Sequence, residues 1–205
     1  MQILFLKGNK SVNMENNIDL SIYRKQAEKY LPEKIKVLFI AESPPAQDKY
    51  NRKSYIYFDT AKQEILLTTL TTAIFGNGNG FTKDCDKRIF LKRLKAGGYF
   101  LIDAIEYPIN KVRGKDRESI IREESKNFLK RLNTLEKRNK IDSATKLILI
   151  KVSVYNALCS LLKEYGYNIL NKDKIDFPKY YNDRGVIAGI RRLLKINYKS
   201  AQGSF

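Results

Sequence analysis

The chain contains no histidine. That excludes every His-dependent catalytic triad, every His-ligated zinc site and any imidazole proton shuttle. Its two cysteines, Cys85 and Cys159, are too few for a four-cysteine iron–sulfur cluster or structural zinc site. Both sit inside helical patterns, where an isolated thiol is a small buried residue more often than a nucleophile. No apolar run approaches the roughly 18 residues that span a membrane. The opening Met1-Gln2-Ile3-Leu4-Phe5-Leu6 lacks the basic start and cleavage site of a signal peptide. The expected location is therefore cytoplasmic. The first thirteen residues carry no pattern, which makes Met14 a second candidate start beside Met1. Internal repeats and low-complexity segments are absent as well. Whatever chemistry occurs must use carboxylates, amides, hydroxyls, Lys, Arg or backbone groups.

What is present is a chain of 205 residues, 43% hydrophobic, with a formal net charge of +17. That length predicts a single domain over 18–199, with an N-terminal extension at 1–17 and a tail at 200–205. Such a domain buries roughly 70% of its unfolded surface and needs no disulfide or metal to hold a core. The charge predicts a polyanionic partner, bound by phosphate neutralisation and counterion release. The 13 Tyr and 10 Phe add ring faces that stack on unpaired bases. The competing explanation is codon bias in an AT-rich genome, which raises Lys, Asn and Ile together. A membrane surface fits less well, because no terminal helix joins a bulky apolar face to a basic one. Nothing implies an obligate protein partner.

Hydrophobic periodicity predicts alternating strands and helices. Helices are expected over 18–31, 61–75, 82–95, 116–138 and 152–165, and a last one begins after the Asn182-Asp183 cap. The apolar runs 35–41, 99–105 and 146–150 read as buried strands, with a short fourth strand at 167–170. The expected fold is a three-layer α/β/α sandwich around a four-stranded parallel sheet. Ligands of such sheets bind at the carboxyl ends of the strands. Glu42, Asp103, Lys151 and the segment after Leu170 are therefore expected around one crevice.

Three segments carry candidate chemistry. In Ala41-Glu42-Ser43-Pro44-Pro45, two prolines stiffen the turn that follows the first strand. Glu42 and Ser43 are then held in place, unless Glu42 is simply a solvated strand end. Asp103 is a charge inside a buried strand, expensive unless paired. It is either half of a structural ion pair or the floor of a binding crevice. Asp176 to Gly185 offers Lys179, Tyr180, Tyr181, Asn182 and Arg184 before a helix N-terminus, a site suited to phosphate; the alternative is a surface tyrosine cluster. Gly76-Asn77-Gly78-Asn79-Gly80 ends a helix, so it does not read as a nucleotide-binding loop.

Taken together, these segments resemble the uracil-DNA glycosylase superfamily. Val37 to Pro45 looks like the family's first motif in its Gly-Glu-Ala-Pro-Gly version, with Ala41 in place of the opening Gly. Ser54-Tyr55-Ile56-Tyr57-Phe58 sits where the family places a ring that stacks on the flipped base. Leu147 to Leu158 is similar to its later strand and helix, and Phe177-Pro178 through Leu194 to its closing loop and helix. The resemblance spans residues 35 to 195. It implies a metal-independent, cofactor-free DNA glycosylase that flips a base and hydrolyses its N-glycosidic bond, in base-excision repair or anti-phage defence. Glu42 and Ser43 are then catalytic, while Asp103, Tyr57, Phe58 and Pro44 bind the base. Lys179, Tyr180, Tyr181, Asn182 and Arg184 contact DNA.

Two departures shape that expectation. The second-motif His is missing, leaving Lys179, Asn182 and Arg184 as candidates to stabilise the departing base. At Asp103 the family commonly has Asn, whose amide both donates and accepts. An ionised Asp only accepts, which suits an amino group such as N4 of a cytosine derivative over the O4 of uracil. Two rival functions remain: a non-catalytic nucleic-acid-binding protein of the same fold, and a metal-dependent nuclease using Glu42, Asp103 and Glu106.

Overall fold

The run Val37–Ala41 forms the first strand, β1, and every residue in it is buried. Side chains alternate between the faces of a strand, so burial of all five means that both faces of the sheet are covered. The computed structural model describes residues 21–46, 55–59, 64–82, 85–109, 112, 114–180 and 183–196. Among them are an opening helix α1 (Ser21–Lys29), then β1, α2 (Ile65–Phe75) and α3 (Lys87–Ala96). There follow β2 (Tyr99–Asp103), α4 (Gly114–Glu123), α5 (Ser125–Lys137) and β3 (Lys146–Leu149). The order closes with α6 (Val152–Glu164), β4 (Asn168–Ile169) and α7 (Arg184–Leu194). The protein is α/β, with four parallel strands in the order β2-β1-β3-β4. Both faces being covered is consistent with three layers.

Register decides what gathers at the carboxyl edge. Ala41 lies beside Asp103, and Ile40 beside Leu149. One residue beyond Ala41 comes Glu42, and two beyond Leu149 comes the β3–α6 junction at Lys151. The other edge depends on a glycine. Gly98 has φ +77, and its carbonyl accepts from the N–H groups of Lys36 and Val37 at 2.8 and 3.1 Å. A Cβ there would meet Lys36 at 2.8 Å, so both the turn and the close approach require glycine.

Local signals set the helix ends. Asp86 caps α3 by accepting from Arg88 N–H, and Asp183 caps α7 by accepting from Val186 N–H. Because of the Asp86 cap, α3 begins at Lys87, later than the expected 82. The long helix expected over 116–138 is two helices meeting at Glu124. The join keeps i→i−4 bonds, from Glu124 N–H to the Ile120 carbonyl and from Phe128 N–H to Glu124. Here α4 packs against α6, while α5 turns Phe128 and Leu132 into the core. The fourth strand is also shorter than the run 167–170. Asn171 takes over beside it: its buried side-chain amide accepts from Leu149 N–H at 2.7 Å and donates to the Leu149 carbonyl at 3.0 Å. One amide thereby continues the ladder where the backbone leaves it. No helix among the described residues is long and apolar enough to cross a membrane.

Candidate functional site

A cavity of about 280 Å³ opens at the carboxyl edge of β1, β2 and β3. Ligand pockets commonly run from about 300 to 1,000 Å³, so this one suits a single small ring. Its wall includes Glu42, Ser43 and Pro45 after β1, Asp103 at the end of β2, and Lys151 after β3. Glu64, Tyr55, Arg117 and Phe177 complete the polar and aromatic lining.

Glu42 is 6% exposed and fully engaged. Arg117 Nη1 donates to its Oε2 at 2.9 Å, Lys151 Nζ donates to the same oxygen, and Ser153 Oγ donates to Oε1 at 2.6 Å. Two cations on one carboxylate leave the cluster with one net positive charge. Arg117 is held in turn by a bond from Nε to the Val112 carbonyl at 2.7 Å. Lys151 sits at φ 89, a region that side chains rarely adopt, as the N-cap of α6. Its N–H donates to the Ile175 carbonyl at 2.8 Å, which brings the Phe177 ring within 6.0 Å of its ammonium.

The other two carboxyls behave differently. Burial pushes the Asp103 carboxyl up to about 7; Arg131 opposes the shift, while the Glu64 and Glu42 charges reinforce it. Glu64 caps α2 by accepting from Leu67 N–H at 3.3 Å. A helix N-terminus favours a carboxylate, but burial wins here too and raises Glu64 to about 7 against the pull of Lys87. Both carboxyls are enclosed by protein yet open to the cavity. Lys87 is itself buried, donates to the Tyr55 carbonyl at 3.0 Å, and is held below the usual ammonium range by that burial. Arg131 braces the floor by donating to the Ala104 carbonyl at 2.6 Å.

The structure brings Glu42, Ser43, Asp103 and Lys151 to one cavity. Tyr57 and Phe58 lie elsewhere. The Tyr57 hydroxyl donates to the Leu101 carbonyl and accepts from Leu101 N–H, with its ring stacked on Phe100. Phe58 stacks on Tyr23 in the core. The ring that reaches the cavity from this segment is Tyr55. Pro44 is buried, and Pro45 lines the cavity in its place, tied by Tyr23 Oη donating to its carbonyl at 2.8 Å. Arg184 lines a separate groove. Lys179 and Tyr180 are exposed, Tyr180 by 72%; Tyr181 and Asn182 lie outside the described residues. Glu106 turns away to Arg24 and Arg131. Among the described residues, no group of three His, Cys, Asp or Glu is placed to hold a metal ion.

The near-neutral Asp103 also corrects a premise drawn from the sequence. A neutral carboxyl carries one donor and one acceptor, as an amide does. Acceptor-only behaviour therefore holds only well above pH 7. Sequence reasoning passed over Glu64, Arg117 and Ser153; the one available signal was the polar start of each helix that follows or faces a strand end. Comparison with models of known protein families, with curated proteins and with solved structures finds no match.

Proposed function

We propose that the chain is a DNA glycosylase: an N-glycosyl hydrolase acting on a base turned out of its strand, as the resemblance to the uracil-DNA glycosylase superfamily implies. The observation that carries this reading is the pair of near-neutral carboxyls, Asp103 and Glu64, facing one ring-sized cavity. General acid–base catalysis works best with groups poised near the operating pH.

With both carboxyls ionising near 7, one can carry charge while the other keeps its proton; the charge is assigned to Glu64 because it caps α2. The base enters the cavity after leaving its stack, at a cost of a few kcal/mol, and packs against Tyr55. The bond from C1′ to the base nitrogen then breaks, with its electron pair going to the base. Lys151 and Arg117 supply the positive field for that developing charge, the task for which Lys179, Asn182 and Arg184 were the candidates in the sequence. A water oxygen bonds to C1′ and releases its proton to Glu64, while Asp103 gives its proton to the base. Glu42 holds the two cations in position, and Ser43 lies in the wall where it can orient the water.

The reading is tested by incubating the protein with DNAs carrying uracil, hypoxanthine and modified cytosines, then cleaving with alkali. Strand breaks at one of these bases, lost in Glu64→Gln, are expected. No break at any of them in any buffer removes the catalytic reading. One observation favours the rival, a nucleic-acid-binding protein without catalysis: both Glu42 oxygens are already satisfied. In that case DNA binding persists and abasic sites never form.

A further inference from the structure

A second cavity, of about 590 Å³, lies between the turn that follows α2 and the face of α7. We propose that it holds a backbone phosphate of the strand whose base enters the first cavity, an assignment that rests on the function proposed above. Among the described residues, its charged lining residues are Arg184 and Arg191, with no carboxylate beside them. A carboxyl-terminal helix end normally repels anions. Here Arg191 covers that end of α2, donating to the Thr72 carbonyl at 2.8 Å and the Ala73 carbonyl at 3.3 Å. It also donates to Asn77 Oδ1 at 2.9 Å, which leaves the Asn77 amide N–H groups as donors. The opposite wall is the beginning of α7, where the dipole is positive.

A second, independent feature points to a ligand. Thr68 is 3% exposed, lines this cavity, and its hydroxyl has no hydrogen-bond partner. An unsatisfied buried hydroxyl is costly, and a phosphate oxygen in the groove would accept from it. Gly78, at φ +80, has nothing within 4 Å of where a Cβ would stand, so the turn leaves open space. The run Gly76 to Gly80 thus serves as a wall for an anion even though it ends a helix.

The spacing agrees with a bound strand. The N-cap of α2 is Glu64 at the first cavity, and the helix carries Thr68 at the second. Four residues rise about 6 Å along a helix, roughly two nucleotides at about 3.4 Å each.

Fluorescence anisotropy on a single-stranded oligonucleotide lacking any target base tests the assignment without catalysis. The proteins are the wild type, Arg184→Ala, Thr68→Val and, as a control at an exposed position of α5, Lys126→Ala. Arg184→Ala is expected to weaken binding roughly tenfold at low salt and to lower the salt slope by about one. Thr68→Val is expected to raise the Tm of the free protein while weakening DNA binding, opposite signs that a purely structural role does not produce. Lys126→Ala should match the wild type. If the wild type binds DNA and both groove variants bind equally well, the groove assignment is wrong and the proposed function stands. If inorganic phosphate raises the Tm of the wild type but not of Arg184→Ala, with DNA binding equal in both, the site takes free phosphate and the strand assignment is wrong. If the wild type binds no DNA, the proposed function itself fails.

Discussion

Lys151 donates to Glu42 across the gap between two neighbouring strand ends, joining residues 109 positions apart in the chain. Arg117 shares the same carboxylate oxygen. The three charges are largely shielded from water, so their mutual attraction is strong and their separation costly.

Glu42→Gln leaves two partly buried cations without their counter-charge. A loss of about 3–5 kcal/mol is expected, read as a lower urea midpoint at unchanged m-value. Lys151→Met leaves Glu42 with Arg117 and Ser153 and should cost less, about 1–3 kcal/mol. Equal and small effects from both would mean that the cluster is solvated and holds nothing in place.

Stability should fall with rising pH through the range in which Asp103 and Glu64 ionise. In the unfolded chain these groups release their protons near pH 4 (about 3.9 for Asp and 4.3 for Glu). In the folded protein both hold them up to about 7. Between those values the folded state binds more protons, so the slope is negative, at most about 1.4 kcal/mol per pH unit for each group, and levels off above that range. Thermal melts from pH 5 to pH 8, with Asp103→Asn as comparison, check this; the wild type should lose more Tm than the variant across that interval.

Base preference should change with pH for the same reason. Near pH 6 the neutral Asp103 both donates and accepts, and should tolerate uracil. Near pH 8 the ionised form only accepts, favouring a base with an amino group. Binding affinities for strands carrying the two bases, measured in Glu64→Gln so that no turnover intervenes, should cross over with pH when Asp103 is present and run parallel when Asp103→Asn is added. Parallel profiles in both would show that Asp103 does not meet the base edge.

Asn171→Leu tests the short edge of the sheet. It removes the partner of both Leu149 N–H and the Leu149 carbonyl. Two unsatisfied buried groups predict a loss of about 2–4 kcal/mol, seen as a lower Tm. A near-neutral substitution would mean that water replaces the amide.

Much of the fold was legible because its signals are local. The runs 35–41, 99–105 and 146–150 are apolar and short, which marks buried parallel strands without reference to any partner; the strands formed there are one to two residues shorter. Asp183 and Gly98 announce helix ends by their own chemistry. The break at Glu124 was hidden, because the backbone there stays near-helical and only the packing partner changes. Tyr57 and Phe58 were indistinguishable from Tyr55 in the sequence; three rings within four residues carry no sign of which one faces a cavity.

The sequence by itself determined the alternation of strands and helices, the excess of positive charge, and the clustering of polar residues just past the strand ends. These follow from periodicity and composition, which neighbouring residues settle among themselves. The tertiary structure alone decided that Lys151 and Arg117 neutralise Glu42, and that Glu64 joins Asp103 at one cavity. It also decided that both of these carboxyls remain protonated to about pH 7. Coulomb energy and desolvation depend on distance and enclosure in space, and residues 42, 64, 103, 117 and 151 acquire those only when the parallel sheet sets their strand and helix ends side by side.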